Sequence, residues 1–177
     1  NFGLNAVPAV ELLKEQLRLF LELVRGGQAD LTRSKIPFSV LVTGFAVNQS
    51  TLTDEHEETL AELADTLLDE PALEIDMLVG RASQTGSESN NVSLSEARAR
   101  AVLDELTALS VYPPPPVVGL GWSEPIVEMP GEESDLNRSV EVRLWYDLAY
   151  HFAAVEGSAS GDTHDVDVET HERAWEK

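Results

Sequence analysis

The residues best suited to recognition chemistry lie in one stretch, GRASQTGSESNNVSLSEARARAV, residues 80 to 102. After Gly80 come eleven small or polar residues, Arg81 to Asn91, and then a helix-forming run that puts Arg98 where a core side chain is expected. A guanidinium is a planar fork of donors matched to a carboxylate. Arg98 therefore has two uses open to it: receiving a carboxylate from outside, or pairing with one of this chain's own acids. Asn91 is equally two-sided, bracing the loop through backbone groups or meeting a ligand. Arg81 either stands solvated or adds positive charge to the loop, and Glu88 is the loop's one acid. Asn137 and Arg138, at the head of NRSVEVRLWYDL, read first as structural.

Other chemistries find no support. His56, His151, His164 and His171 are scattered, with no H-x-x-x-H spacing, so no metal site is expected. The absence of cysteine removes disulfide and thiolate chemistry. There is no phosphate-cradling glycine loop, no G-x-S-x-G and no Ser/His/Asp constellation, so neither catalytic residues nor a cofactor are expected. Asn48, Asn91 and Asn137 each begin an N-x-S sequon, which needs no glycan to explain it.

Thirty-two acids against twelve bases give a net charge of −20, with Lys14, Lys35 and Lys177 the only lysines. Such a surface repels nucleic-acid phosphate and anionic lipid, which excludes nucleic acid as a partner. Acid excess with scarce lysine also suits very salty media, where repulsion is screened, so halophilic adaptation is one expectation. No run approaches the roughly 18 uncharged apolar residues of a spanning helix, so no membrane insertion is expected.

Three parts must position the loop and the arginine. Residues 1–34 hold an amphipathic helix at 6–25, with Leu13, Leu17, Phe20 and Val24 at three- and four-residue spacing, stopped by Gly26-Gly27. The favoured reading packs this helix on its own domain; the alternative is a partner contact. Residues 35–150 form the organised part, and 151–177 an acidic tail in which Val166 and Val168, alternating with acids, suit an edge strand. Within the middle part the periodicities predict strands at 36–47, 73–79, 117–122 and 138–148. The predicted helices are 53–69, with Thr53 as N-cap, and 94–109, opened by a Ser93/Glu96 capping box. The order β-α-β-α-β-β implies an α+β two-layer sandwich, helices on one face of the sheet.

These motifs resemble the OmpA-like domain family. Its pattern G-H-T-D-x-x-G-x-x-x-Y-N-x-x-L-S-x-x-R-A-x-x-V is met at Gly80, Gly86, Asn91, Leu94, Ser95, Arg98, Ala99 and Val102. GLGWSEP, Gly119 to Pro125, is similar to its G-x-G-x-x-x-P turn, NRSVEV to its N-R-R-V-E-I, and FAVNQSTL to the segment before its first helix. The likeness spans about 36 to 146. It implies a mixed sheet and a non-catalytic module of the cell envelope that grips the peptidoglycan stem peptide. In the family a loop Asp meets the diaminopimelate ammonium and the helix Arg its carboxylate. The implied ligand-binding residues here are Arg98, Asn91, Ser83, Arg81, Gly86 and Arg138, but Ser83 holds the Asp position, and Arg81 and Ala82 replace His and Thr. A weakened clamp is the expectation. The alternative is an assembly module of a contractile-injection or toxin-delivery particle, bound to a protein partner instead.

Overall fold

The computed structural model describes residues 8–28, 34–126 and 135–157. Helix α1 spans Ala9–Arg25, strand β1 Lys35–Val42, α2 Asp54–Asp69, β2 Leu73–Gly80, α3 Glu88–Ala108, β3 Val117–Gly119 and β4 Val140–Asp147. A single 3-10 turn, Asp135–Asn137, precedes β4, and residues 148–157 are helical.

The sheet order is β1-β4-β2-β3. β4 enters last between β1 and β2, antiparallel to both, while β2 and β3 run parallel, so the sheet is mixed. Alternation along β4 decides which face is covered. Val140, Val142, Leu144 and Tyr146 are buried, whereas Glu141, Arg143 and Trp145 between them are only partly so. One contiguous core holds these four with Val40 and Val42 of β1, Leu60 and Leu63 of α2, Ala99, Val102 and Leu106 of α3, and Val10, Leu13 and Leu17 of α1. α1 lies against β1, where Phe20 meets the Phe38 ring edge-on at 6.1 Å. α3 covers β2 and β3, and α2 packs against both other helices. Helices on one side and a more open sheet face on the other make the α+β sandwich that the strand–helix order demands.

Several boundaries differ from the sequence reading. β1 stops at Val42, not 47, because Gly44 (φ +81°) and Asn48 (φ +55°) take the left-handed region and turn the chain. β3 stops at Gly119, because Gly121 (φ +59°) does the same. α1 begins at Ala9, not at 6.

The largest shift is in α3, which starts at Glu88, six residues ahead of the expected start. Its N-cap is Ser87, whose hydroxyl accepts from Asn90 N at 3.4 Å. Ser93 is therefore no cap: its hydroxyl donates back to Ser89 O, and Glu96 pairs with Arg100 at 2.6 Å. Serine hydroxyls can bond to the preceding turn inside a helix, which is how Ser93 and Ser95 are accommodated. The loop is shortened to residues 81–87, and Asn91 lies on the helix.

α2 begins as expected at Thr53, with histidine in the usual acid's place. Thr53 Oγ1 accepts from His56 N at 3.3 Å, and His56 Nδ1 accepts from Thr53 N at 3.2 Å. Because Nδ1 is an acceptor, the ring proton sits on Nε2, which donates to Thr43 O at 2.6 Å. The ring also packs on Phe45, centroids 4.4 Å apart. One side chain thus joins the helix start to the chain leaving β1. Val166, Val168, His164 and His171 lie outside the described residues.

Candidate functional site

The candidate site sits where β2 ends, the 81–87 loop turns and α3 begins, and glycines let these parts approach closely. A Cβ built on Gly80 would lie 1.8 Å from Ser95 O, and one on Gly119 would lie 2.7 Å from Glu96 N. α3 therefore lies with its backbone directly on β2 and β3 at two points where no side chain fits. Ser95 fixes the contact: its hydroxyl accepts from Gly121 N at 2.9 Å and donates to Val92 O at 2.8 Å. Ala82 N then donates to Gly121 O at 2.7 Å, tying the loop to the 120–123 turn.

Arg98 points into the interior of this junction and is fully buried. Its Nε donates to Gln49 O at 2.9 Å, Nη1 to Arg81 O at 3.0 Å and Nη2 to Ala46 O at 3.0 Å. The guanidinium lies 5.4 Å from the centroid of the Phe45 ring, a cation–π contact. Burial, helped by the nearby Arg138 charge, pushes its pKa down to about 10, so it is still charged at neutral pH. Of the two uses open to this arginine, the structure displays neither. The fork neither faces solvent nor pairs with an acid; it holds three backbone carbonyls at the end of the sheet, of which Ala46 O also accepts from Gln49 N at 3.1 Å.

The neighbouring arginines also face inward. Arg81, expected to stand solvated or to charge the loop, is buried: Nε donates to Glu124 O at 2.8 Å, and Nη1 lies 3.6 Å from Glu141 Oε2. Glu141 also pairs with Arg143 at 2.5 Å. Arg138 donates from Nε to Phe45 O at 2.7 Å and pairs through Nη2 with Asp135 Oδ1. Phe45 N donates to Arg138 O at 3.2 Å, closing a two-way link between that loop and the start of β4. Arg98 and Arg138 thus grip the 45–49 segment from two sides.

The polar residues of the loop complete the site. Ser83 is buried, and so is Asn91, whose Nδ2 has no hydrogen-bond partner among the described residues. Gly86 (φ +101°) makes the turn ahead of the α3 cap, and a Cβ there would lie 3.8 Å from Asn91 Oδ1. Glu88 opens α3 on an exposed surface. The structure therefore gathers Arg81, Ser83, Gly86, Asn91 and Arg98 around one junction, with Arg138 behind Phe45. Sequence reasoning missed the carbonyls of Ala46, Gln49 and Glu124, as well as Glu141. Backbone acceptors carry no residue-type signal, and Glu141 reads only as an outward position on a strand. Among the described residues no group of acids or histidines is placed to hold a metal.

The pattern of the OmpA family matches residues 44–138, more than half of the chain, and the chain belongs to that family. No curated protein matches it. Solved structures share the fold. The peptidoglycan-associated lipoprotein of Burkholderia pseudomallei aligns with a TM-score of 0.51 at 22% identity, over 65% of this chain and 92% of that one. The OmpA-like domain of FopA1 from Francisella tularensis aligns with 0.53 at 22%, over 67% and 78%. A putative MotB-like protein from Desulfovibrio vulgaris aligns with 0.53 at 20%, over 78% and 96%. OmpA-like domains are in general non-enzymatic binding or anchoring modules, and the family is associated with peptidoglycan binding.

Proposed function

We propose that this chain is an anchoring module of the cell envelope whose 81–91 segment meets the stem peptide of peptidoglycan, with an affinity lowered by the serine at position 83. The observation that carries the reading is the arrangement of Gly80, Ser83, Gly86, Asn91 and Arg98 around a single sheet-to-helix junction within the stretch that matches the family. A carboxylate at position 83 would neutralise a ligand ammonium, and serine supplies only a hydroxyl. Losing such a charge-assisted contact costs about 1.5–3 kcal/mol. Arg81 is not the obstacle its charge suggests, since Glu141 and the Glu124 carbonyl already engage it. The test is an NMR titration of the protein with a diaminopimelate-type muropeptide. Shifts confined to residues 81–91 and saturating only at high micromolar to millimolar ligand fit the reading, and no shift at any concentration rejects it.

One observation favours a second reading, an assembly module of a contractile-injection or toxin-delivery particle that takes a protein partner. Arg98 has its fork committed to Gln49, Arg81 and Ala46, so a ligand carboxylate has to compete with three backbone carbonyls. A muropeptide-silent protein that co-assembles with other particle subunits would establish that reading.

A further inference from the structure

Asn48, Asn91 and Asn137 each begin an N-x-S sequon, and the fold treats the three differently. Attaching a sugar to an asparagine requires its side-chain nitrogen to reach solvent, with room for a bulky hydrated group. Two of the three offer neither in the folded chain. Asn91 is 4% exposed and its Nδ2 is enclosed, with the Gly86 turn close over the same side chain. Asn137 is 7% exposed, and its Oδ1 is committed to Ile126 N at 2.8 Å. A glycan on either side chain has to displace packed backbone.

Asn48 stands apart. It is exposed together with Ala46, Val47 and Gln49, and its side chain makes no hydrogen bond among the described residues. Gln49 N donates to Ala46 O, so residues 46–49 form a tight turn with Asn48 in its third position. The left-handed backbone there, φ +55°, is one that asparagine tolerates better than most residues. Arg98 bonds to carbonyls at both ends of the turn, those of Ala46 and Gln49. The turn is thus anchored from beneath and leaves Asn48 at its outer side. Ser50, the third residue of the sequon, is half-buried just beyond it.

We propose that Asn48 is a site of N-linked glycosylation, and that the fold withholds the other two sequons. The proposal rests on the envelope placement given above, because such sugars are carried by surface loops of exported proteins. The co-reactant is a lipid-linked oligosaccharide diphosphate, delivered by a membrane glycosyltransferase. The Asn48 amide nitrogen attacks the anomeric carbon of the first sugar. The new N–C bond replaces the C–O bond to phosphate, the nitrogen gives up one proton, and the lipid diphosphate leaves. Nothing is oxidised or reduced. The product puts an uncharged, strongly hydrated group on a surface otherwise dominated by acids.

Peptide mass mapping of the protein recovered from its own cells tests this, alongside Asn48→Gln, Ser50→Ala and Ser50→Thr variants expressed in the same cells. The parent should carry a glycan mass on the peptide that holds Asn48 and none on those that hold Asn91 and Asn137. Asn48→Gln and Ser50→Ala should lose that mass, and Ser50→Thr should keep it. Each variant changes a residue of the exposed turn or its margin, and its melting temperature reports an intact fold. An unmodified Asn48 in the parent would overturn the proposal, as would a glycan on Asn91 or Asn137 or one that survives Ser50→Ala. Muropeptide titration of the same preparations keeps the two readings separate. A chain that binds muropeptide but carries no glycan overturns the Asn48 proposal alone, whereas a glycosylated chain that is silent to muropeptide overturns the stem-peptide reading alone.

Discussion

At the scale of single residues, Arg98 matters most for what it holds together. Replacing it with Ala removes the side-chain donor from the carbonyls of Gln49 and Arg81, leaves the Ala46 carbonyl with the Gln49 N–H alone, and opens a cavity under Phe45. Arg98→Ala should therefore cost on the order of 3 kcal/mol, measured as a shift of the urea midpoint. Arg98→Lys should recover only part of this, because one ammonium cannot reach three carbonyls in fork geometry. A loss below about 0.5 kcal/mol would mean that solvent or ligand, not the loop, is the partner of Arg98. Tyr146 gives a pH signature. Burial pushes its hydroxyl up to about 12, with Glu70 adding to the rise and Arg25 opposing it. The unfolded chain ionises this phenol near 10, so the stability held by its neutral form is complete below pH 10 and is lost as the pH climbs toward 12. Arg98 works oppositely in that window, since the cost of burying its charge falls away above about 10. Comparison of Tyr146→Phe with the parent separates the two. The melting temperature of the Phe protein should fall less steeply between pH 10 and 12, and parallel curves would contradict the assignment.

At the scale of elements, the close approach of α3 to β2 is the contact least tolerant of change. Gly80→Ala brings a methyl to 1.8 Å of the Ser95 carbonyl, a backbone atom that cannot swing aside. The helix must lift, and a cost of about 3 kcal/mol or more is expected, at the upper end of overpacking penalties. His56→Ala keeps the Thr53 cap but removes the bond from Thr53 N to the imidazole and the bond to Thr43, and should cost about 2 kcal/mol. Both are read from thermal or denaturant unfolding. Much of this architecture was legible in the sequence. The alternation of Val140 to Tyr146, the Thr53 cap and the strand–helix order sufficed for an α+β sandwich with helices on one face. The early start of α3 was hidden because Ser87 and Ser93 are equally good caps by type, and only the packing of Asn91 and Val92 on Gly121 carries the helix back to Ser87. The motif singled out Arg81, Ser83, Gly86, Asn91 and Arg98, but not the direction in which their side chains turn. An arginine directed at backbone carbonyls and one directed at a ligand have the same sequence.

At the scale of the whole molecule, charge and the clamp set the behaviour. A net −20 on 177 residues leaves a large self-repulsion that salt screens within about 10 Å at 0.1 M and about 3 Å at 1 M. The melting temperature should climb steeply from dilute buffer to molar KCl, and a flat profile would remove halophilic adaptation as the reason for the acids. The envelope-anchoring account itself turns on position 83. Ser83 is buried at that junction, and Ser83→Asp puts there the acid that the proposed clamp calls for. The decisive measurement is calorimetric titration of a diaminopimelate-type muropeptide into the parent and the Ser83→Asp protein. The account predicts weak binding by the parent and a gain of about one to two decades in the variant, equivalent to about 1.5–3 kcal/mol. Tight binding by the unmodified protein, or no binding by either, would contradict it.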